Sequence, residues 1–347
     1  MRALVLVKNG DSRRAFEWRD LPDPICGDDE ILVDTEYSGI NFADVLARLG
    51  IYPDAPQLPF VPGYEVVGRI RALGSEAVRS NPALKVGSRV LALTRFGGYS
   101  SVALAKARAA IPLDDDVDGA EATAWATQGV TAWLAAQDCV SLLAGEKVLI
   151  HAAAGGVGLL LVQLAKRRGC EVFATAGSSE KLQLLRGEFQ VDHAISYRDT
   201  DFVKEIRRIT GSSSPIHVAF DSIGGSVFHR SRKLLAPGGR LVSFGVAEMA
   251  VQSPFRSVIN AWSAFRFGFV HPLTLLQESQ SVIGLNVLRI ADHQPDRLAR
   301  ALRGVHDLMK SGEVRAQVGA TFPIREVGEA HEFLASRQSI GKVVLRW

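Results

Sequence analysis

The stretch Val148-Leu149-Ile150-His151-Ala152-Ala153-Ala154-Gly155-Gly156-Val157-Gly158-Leu159-Leu160-Leu161 restricts the fold of this chain more than any other. A β-branched apolar run ends in a turn of small residues, and an apolar helical pattern follows at once. The turn reads Ala152-x-x-Gly155-x-x-Gly158, a variant of the dinucleotide-binding G-x-G-x-x-G. Small residues let the backbone turn tightly and approach a pyrophosphate, and the helix that begins there points its free N–H groups at the phosphates. Ala152, Ala154, Gly155, Gly156, Val157 and Gly158 are therefore expected at a pyrophosphate. Val148 to Ala165 carries no formal charge and is long enough to cross a bilayer. A spanning helix is the poorer reading, because glycines would sit at its centre and β-branched residues precede them.

Residues 1 to about 125 read as short strands punctuated by turn residues, a mostly β region suited to a small barrel. From about residue 127 strands and helices alternate. Helices are expected at Val130–Ala136, Gly158–Arg168, Glu180–Gly187, Phe202–Thr210 and Ser226–Leu235. Strands are expected at Lys147–Ala152, Glu171–Ala176, His193–Tyr197, Val218–Ser222, Arg240–Phe244 and Val282–Val287. Such alternation means βαβ units and a doubly wound parallel sheet, so the class is α/β. The 347-residue length fits two domains. Residues 127–287 form the nucleotide-binding domain, and residues 1–126 with 288–347 form the other.

In the dinucleotide fold an acid at the tip of the second strand selects a free ribose 2′-hydroxyl. Here Glu171–Ala176 is followed by Gly177-Ser178-Ser179-Glu180-Lys181, with no acid at the tip. Ser178 and Lys181 suit a 2′-phosphate, which favours NADPH. A second reading has Ser178 and Ser179 capping the next helix, and both can hold. The formal net charge of +3 is too small to argue for nucleic acid or an anionic membrane. Three widely spaced cysteines form neither a disulfide framework nor a metal spacing. A reducing, cytoplasmic setting follows. The short apolar N-terminal run reads as a first strand, not a leader.

Several further segments resemble a known family. Gly63-Tyr64-Glu65-Val66-Val67-Gly68 resembles the G-H-E-x-x-G motif of the medium-chain dehydrogenase/reductase superfamily. His151 to Gly158, Gly39-Ile40-Asn41-Phe42-Ala43-Asp44 with Arg48, Gly50-Ile51-Tyr52-Pro53 and Gly341-Lys342-Val343-Val344-Leu345 resemble its quinone oxidoreductase (ζ-crystallin-like) branch. Within that branch the chain is most similar to the vesicle amine transport protein homologues. The resemblance runs over essentially the whole chain. It implies a GroES-like β-rich catalytic domain built from both chain ends, a central Rossmann domain, and a homodimer.

The resemblance also distributes roles. Asn41 matches an asparagine on the nicotinamide side, and its plain alternative is a turn residue with a left-handed backbone. Thr131 matches a threonine behind the nicotinamide, and Tyr197 a tyrosine near the adenosine end. Phe244 and Gly245 are expected at the carboxyl edge of the sheet, with Leu285 and Asn286 near the nicotinamide. Tyr52 and Tyr64 are expected as proton donors or rim groups. Leu46 stands where many quinone reductases carry a tyrosine. Glu65 is expected to organise its domain, and His151 to be a core histidine.

Where the zinc dehydrogenases hold a histidine this chain has Tyr64, and Gly39-Ile40-Asn41-Phe42 contains no thiol. No metal is expected. Hydride transfer to an already activated acceptor (a quinone, an enone or an acyl-CoA-type enoyl thioester) is the implied chemistry. The alternative is an NADPH-binding redox-sensing or interaction protein with little turnover. The aromatic segment 254–276 is expected either to cover the substrate, with Arg256 and Arg266 meeting a coenzyme A phosphate, or to pack in a core or dimer interface.

Overall fold

The computed structural model describes residues 1–250 and 269–347. The expected roles of Arg256 and Arg266, and most of the aromatic segment around them, fall outside the described residues. The chain divides into two units, Met1–Val130 with Val287–Trp347, and Thr131–Asn286.

Fifteen strands occur among the described residues. They are β1 (Arg2–Leu6), β2 (Phe16–Asp20), β3 (Glu30–Ile40), β4 (Glu65–Leu73), β5 (Arg89–Leu93), β6 (Val102–Lys106), β7 (Ala110–Pro112), β8 (Lys147–Ile150), β9 (Glu171–Ala176), β10 (His193–Ser196), β11 (Ile216–Asp221), β12 (Leu235–Ser243), β13 (Ser281–Gly284), β14 (Val318–Pro323) and β15 (Lys342–Arg346).

In the first unit the order is β14-β15-β3-β4-β5-β7, with β6 also on β3 and β1–β2 as a separate antiparallel pair. The long β3 pairs β15, β4 and β6 antiparallel. Ile31, Val33, Val66, Ile70, Val90, Ala92 and Ala103 form the core on one face. Along each strand the named residues are an even number of positions apart, so their side chains share one face. Strand β15 thereby lies beside β3, and its Lys342 reaches the interior of the unit.

The second unit holds a parallel sheet in the order β10-β9-β8-β11-β12-β13. Its order reverses direction beside β8, the topological switch point where ligands collect in such sheets. Leu149, Phe173, Ile195, Ala219 and Leu241 pack on helix residues Phe202, Ile206 and Phe228. The helix Phe202–Thr210 is bounded at one end by Asp201, whose carboxylate accepts from Val203 N–H at 2.9 Å, and at the other by left-handed Gly211.

Several sequence expectations shift at their ends. β12 begins at Leu235, not Arg240, because the Pro237-Gly238-Gly239 turn is absorbed as a bulge between the Ile216↔Leu235 and Val218↔Arg240 pairs. The preceding helix accordingly stops at Arg232. The final parallel strand ends at Gly284, where its pairing with Ser243 ends, and Val287 already opens the helix Val287–His293. The helix expected at Val130–Ala136 runs over Thr127–Trp133 and widens into a π-type turn through Cys139. Among the described residues no helix is long and apolar enough to cross a membrane.

Candidate active site

The second unit supplies a turn shaped for a phosphate. β8 ends at Ile150, and the helix Gly156–Arg167 begins after five residues of turn. Ala152 takes a left-handed backbone, φ 48°. Ala153 N–H is held by Thr175 O at 3.0 Å, and Gly155 N–H by Ala152 O at 2.9 Å. A Cβ on Gly158 would strike the Ala152 carbonyl and stand 2.7 Å from Ala153 Cα, so only glycine lets the helix pack this closely on the turn. No side chain caps this helix. Its first N–H groups, at Gly156, Val157 and Gly158, are left for an external acceptor. Gly155 is partly open, whereas Ala153 and Ala154 are buried and can offer little beyond shape.

His151 sits beneath this turn and is 3% exposed. Ser231 Oγ donates to Val227 O at 2.8 Å, so it accepts from His151 Nε2 at 2.7 Å. His151 Nδ1 is then bare and accepts from Thr175 Oγ1 at 3.0 Å. Burial drives its pKa down to about 3. It is a neutral structural imidazole and not a base.

At the carboxyl ends of β9 and β10 stand Ser178, Lys181, Tyr197 and Arg198. Ser178 Oγ accepts from Lys181 N–H at 3.4 Å and caps the helix Ser179–Gly187, which leaves its O–H as a donor. Tyr197 is 41% exposed, and its ring lies over Gly177, where a Cβ would be 2.6 Å from Tyr197 Cζ. The Lys181 ammonium titrates below the usual lysine range because of burial, with the Arg198 charge adding to the effect against Glu180. Arg198 therefore adds positive charge at this edge of the sheet. The sequence reading missed Arg198, which follows β10 and joins the β9 end only because those two strands pair.

Phe244, Gly245, Leu285 and Asn286 follow β12 and β13 at the same carboxyl edge. Phe244 N–H donates to Asp221 O and Leu285 N–H to Ser243 O, both at 2.9 Å. Leu285 and Thr131 are each 7% exposed. Asp221 closes the neighbouring turn by accepting from Ile223 N–H at 2.8 Å and Gly224 N–H at 3.1 Å.

The first unit gathers a different chemistry. Asn41 has an extended backbone (φ −109°, ψ 159°), not the left-handed one its turn-residue alternative requires, and precedes the helix Phe42–Arg48. Its N–H is accepted by Asp44 Oδ2 at 2.8 Å. Its side-chain Nδ2 donates to Glu65 Oε1 and Oε2 at 2.7 and 2.9 Å, and its Oδ1 accepts from Lys342 Nζ at 2.8 Å. Lys342 also pairs directly with Glu65, and Thr127 Oγ1 donates to the same carboxylate. Glu65 and Lys342 are both fully buried. Gly39 makes room for them, since a Cβ there would lie 2.6 Å from Lys342 Cε. Asp44 is held by Gly63 N–H as well, and burial pushes its carboxyl up to about 7.

Beside this network Tyr52, Phe60, Tyr64, Phe96 and Leu288 form an aromatic cluster. The Tyr52 and Tyr64 rings are 6.3 Å apart at 79°, and Tyr64 and Phe96 are 5.1 Å apart. The buried Tyr64 hydroxyl has no hydrogen-bond partner among the described residues. Burial pushes the Tyr52 phenol up to about 12 and that of Tyr64 higher still. Both are protonated donors at neutral pH. Among the described residues no group of three His, Cys, Asp or Glu side chains is placed to hold a metal ion.

Two family models match the chain, an alcohol dehydrogenase GroES-like domain over residues 27–115 and a zinc-binding dehydrogenase over residues 156–271. A synaptic vesicle membrane protein VAT-1 homolog from Danio rerio is 33% identical over 99% of this chain and 69% of its own length. A quinone oxidoreductase from Pseudomonas aeruginosa is 32% identical over 95% of both chains. The structure of Escherichia coli quinone oxidoreductase complexed with NADPH superposes with a TM-score of 0.85, at 29% identity and over the whole of both chains. A GroES-like unit from both chain ends, a central Rossmann-type unit and these matches along nearly the full length agree: the chain belongs to the medium-chain dehydrogenase/reductase superfamily, with quinone oxidoreductases and VAT-1 homologues among its relatives.

Proposed function

We propose that this chain is a zinc-independent, NADPH-dependent reductase that passes hydride to a conjugated acceptor, either a quinone or a C=C conjugated to a ketone or thioester carbonyl. The observation that carries the reading is the uncapped helix end at Gly156 behind a turn that only small residues permit. The fit extends to the adenosine end, where Ser178, Lys181, Tyr197 and Arg198 offer donors and positive charge to a 2′-phosphate. The solved Escherichia coli relative with NADPH supports the same cofactor.

When bound, NADPH supplies the hydride. The chain's own residues bind and orient. Gly156, Val157 and Gly158 direct N–H groups at the pyrophosphate, and Phe244, Gly245, Leu285, Asn286 and Thr131 border the nicotinamide end. Asn41 offers its amide to the carboxamide or to the acceptor oxygen as negative charge develops there. Tyr52 and Tyr64 line the acceptor side, and either phenol, or water, returns the proton. The aromatic cluster favours a flat acceptor by stacking. Among the described residues the donor set around Asn41 is an amide, a carboxylate tied to an ammonium, and phenols, without thiolate or imidazole, which supports zinc-independence.

We also infer a homodimer and a cytoplasmic setting. Among the described residues β13 is the outer strand of its sheet, and Phe269, Leu273 and Leu276, which precede it in the chain, are exposed. The described cysteines are all free thiols. Light scattering on the purified protein tests the dimer.

The deciding experiment follows NADPH oxidation by absorbance with an ortho-quinone and a branched enoyl-CoA side by side. The higher kcat/KM identifies the acceptor class. Tight NADPH binding with no oxidation by either, or by a wider acceptor panel, refutes the reductase reading and leaves a nucleotide-binding protein.

A further inference from the structure

The ion pair of Glu65 and Lys342 is costly to bury in the first unit. Both side chains are fully buried, and taking two charges out of water is repaid only by near-complete hydrogen bonding. An apolar pair of similar volume would hold the unit together at least as well. The pair nevertheless converges on one neutral side chain, the Asn41 amide. Lys342 Nζ donates to Oδ1 at 2.8 Å, while Glu65 accepts from Nδ2 at 2.7 and 2.9 Å. Asp44 holds the Asn41 backbone N–H at 2.8 Å. The amide therefore cannot flip, because exchanging its ends would set N–H against the ammonium and oxygen against the carboxylate.

We propose that Lys342, with Glu65, is a positioning pair that fixes and polarises the Asn41 amide for hydride transfer. The assignment rests on the reading of Asn41 as facing the carboxamide or the acceptor oxygen. Nδ2 carries two hydrogens. The Nδ2 distances to both oxygens of one carboxylate fit a single hydrogen shared between them, which leaves the second for the reacting partners. Ammonium donation to Oδ1 draws electron density from the amide and makes that second N–H a stronger donor. Thr127 Oγ1 on the Glu65 carboxylate, and the close approach that the missing side chain of Gly39 allows, keep the pair in register.

Removing one partner would strand a buried charge and could unfold the unit. The test therefore uses the charge-balanced double variant Glu65→Gln/Lys342→Met, alone and combined with Asn41→Ala, together with Lys342→Arg. With a quinone acceptor the double variant is expected to lose about 10- to 100-fold in kcat, less than the roughly 100- to 1000-fold of a transition-state donor removed outright, because Asn41 itself remains. KM for NADPH should change by less than about threefold, and Lys342→Arg, which keeps the charge but not the shape, should retain part of the turnover. In the Asn41→Ala background the same double change should cost nothing further, because the pair acts through the amide.

A second readout needs no cofactor. The Asn41 side-chain NH₂ resonance of the free protein should be protected from solvent exchange and should lose that protection in the double variant. An equal loss of kcat in both backgrounds overturns positioning in favour of plain scaffolding. So does unchanged kcat, or an Asn41 resonance that stays protected. Wild-type turnover in Asn41→Ala alone refutes the Asn41 reading itself and removes the proposal with it. Absence of any wild-type turnover, visible before a variant is made, overturns the reductase reading and the proposal together.

Discussion

Gly158→Ala tests the nucleotide turn directly. In the unshifted backbone the new methyl carbon strikes the Ala152 carbonyl and stands 2.7 Å from Ala153 Cα. Comfortable carbon–carbon contacts are about 3.5–4 Å, so the helix Gly156–Arg167 must retreat by roughly 1 Å. Overpacking of this kind costs about 1–3 kcal/mol. Alanine's better helix propensity returns up to about 1 kcal/mol. A net loss of about 1–2 kcal/mol should lower the Tm of this unit by about 3–8 °C. The retreat also carries the Gly156 and Val157 N–H groups away from the pyrophosphate, and NADPH binding should weaken by about tenfold or more. Gly155→Ala, with its nearest contact at 3.2 Å, should fall in between. Gly187→Ala, with nothing within 4 Å, should raise stability by about 0.5–1 kcal/mol. Thermal unfolding and NADPH fluorescence titration read both effects. A Gly158→Ala protein as stable as wild type and with unchanged NADPH affinity would refute the close-packing argument.

Lys181→Ala and Arg198→Ala should each weaken NADPH binding by about tenfold and leave NADH binding unchanged, as measured by parallel fluorescence titrations. The His151 C2–H resonance should not titrate between pH 5 and 8, because its folded pKa lies near 3 against an ordinary 6.5. Between about pH 3 and 6.5 the unfolded chain binds the proton and the folded one does not. The associated stability is present above about pH 6.5 and is lost as pH falls towards 3, so urea midpoints of wild type should drop faster than those of His151→Gln. Asp44 acts with the opposite sign. Its folded pKa is about 7 against an ordinary 3.8, so its contribution is full at low pH and is lost as pH rises through 7. The difference in urea midpoint between Asp44→Asn and wild type should therefore grow in favour of the variant across that range.

The fold class was legible in the sequence because it is written in local periods. Glu171–Ala176 and Phe202–Thr210 occur as strand and helix with the ends their patterns mark, since alternation and an Asp cap are short-range properties. Element ends failed where partner strands decided them. β12 extends backward through Pro237-Gly238-Gly239 because β11 offers pairing there, and the strand at Val282 stops where Ser243 does. The same limit governs the candidate site. Ser178 and Lys181 could be read from their place after a strand, whereas Arg198 shows itself only once β9 and β10 lie side by side.

By itself, then, the sequence determined the parallel α/β unit, its small-residue turn and a neutral buried His151, all consequences of period, side-chain size and burial within a few dozen residues. Only the tertiary structure decided what holds Asn41. Lys342 lies 301 positions further along the chain, yet its ammonium reaches the amide because β15 pairs with β3. Hydrogen bonding across such a separation leaves no period to read. It is set by which strands close the sheet, and by the requirement that a charge taken out of water find its partners wherever the fold puts them.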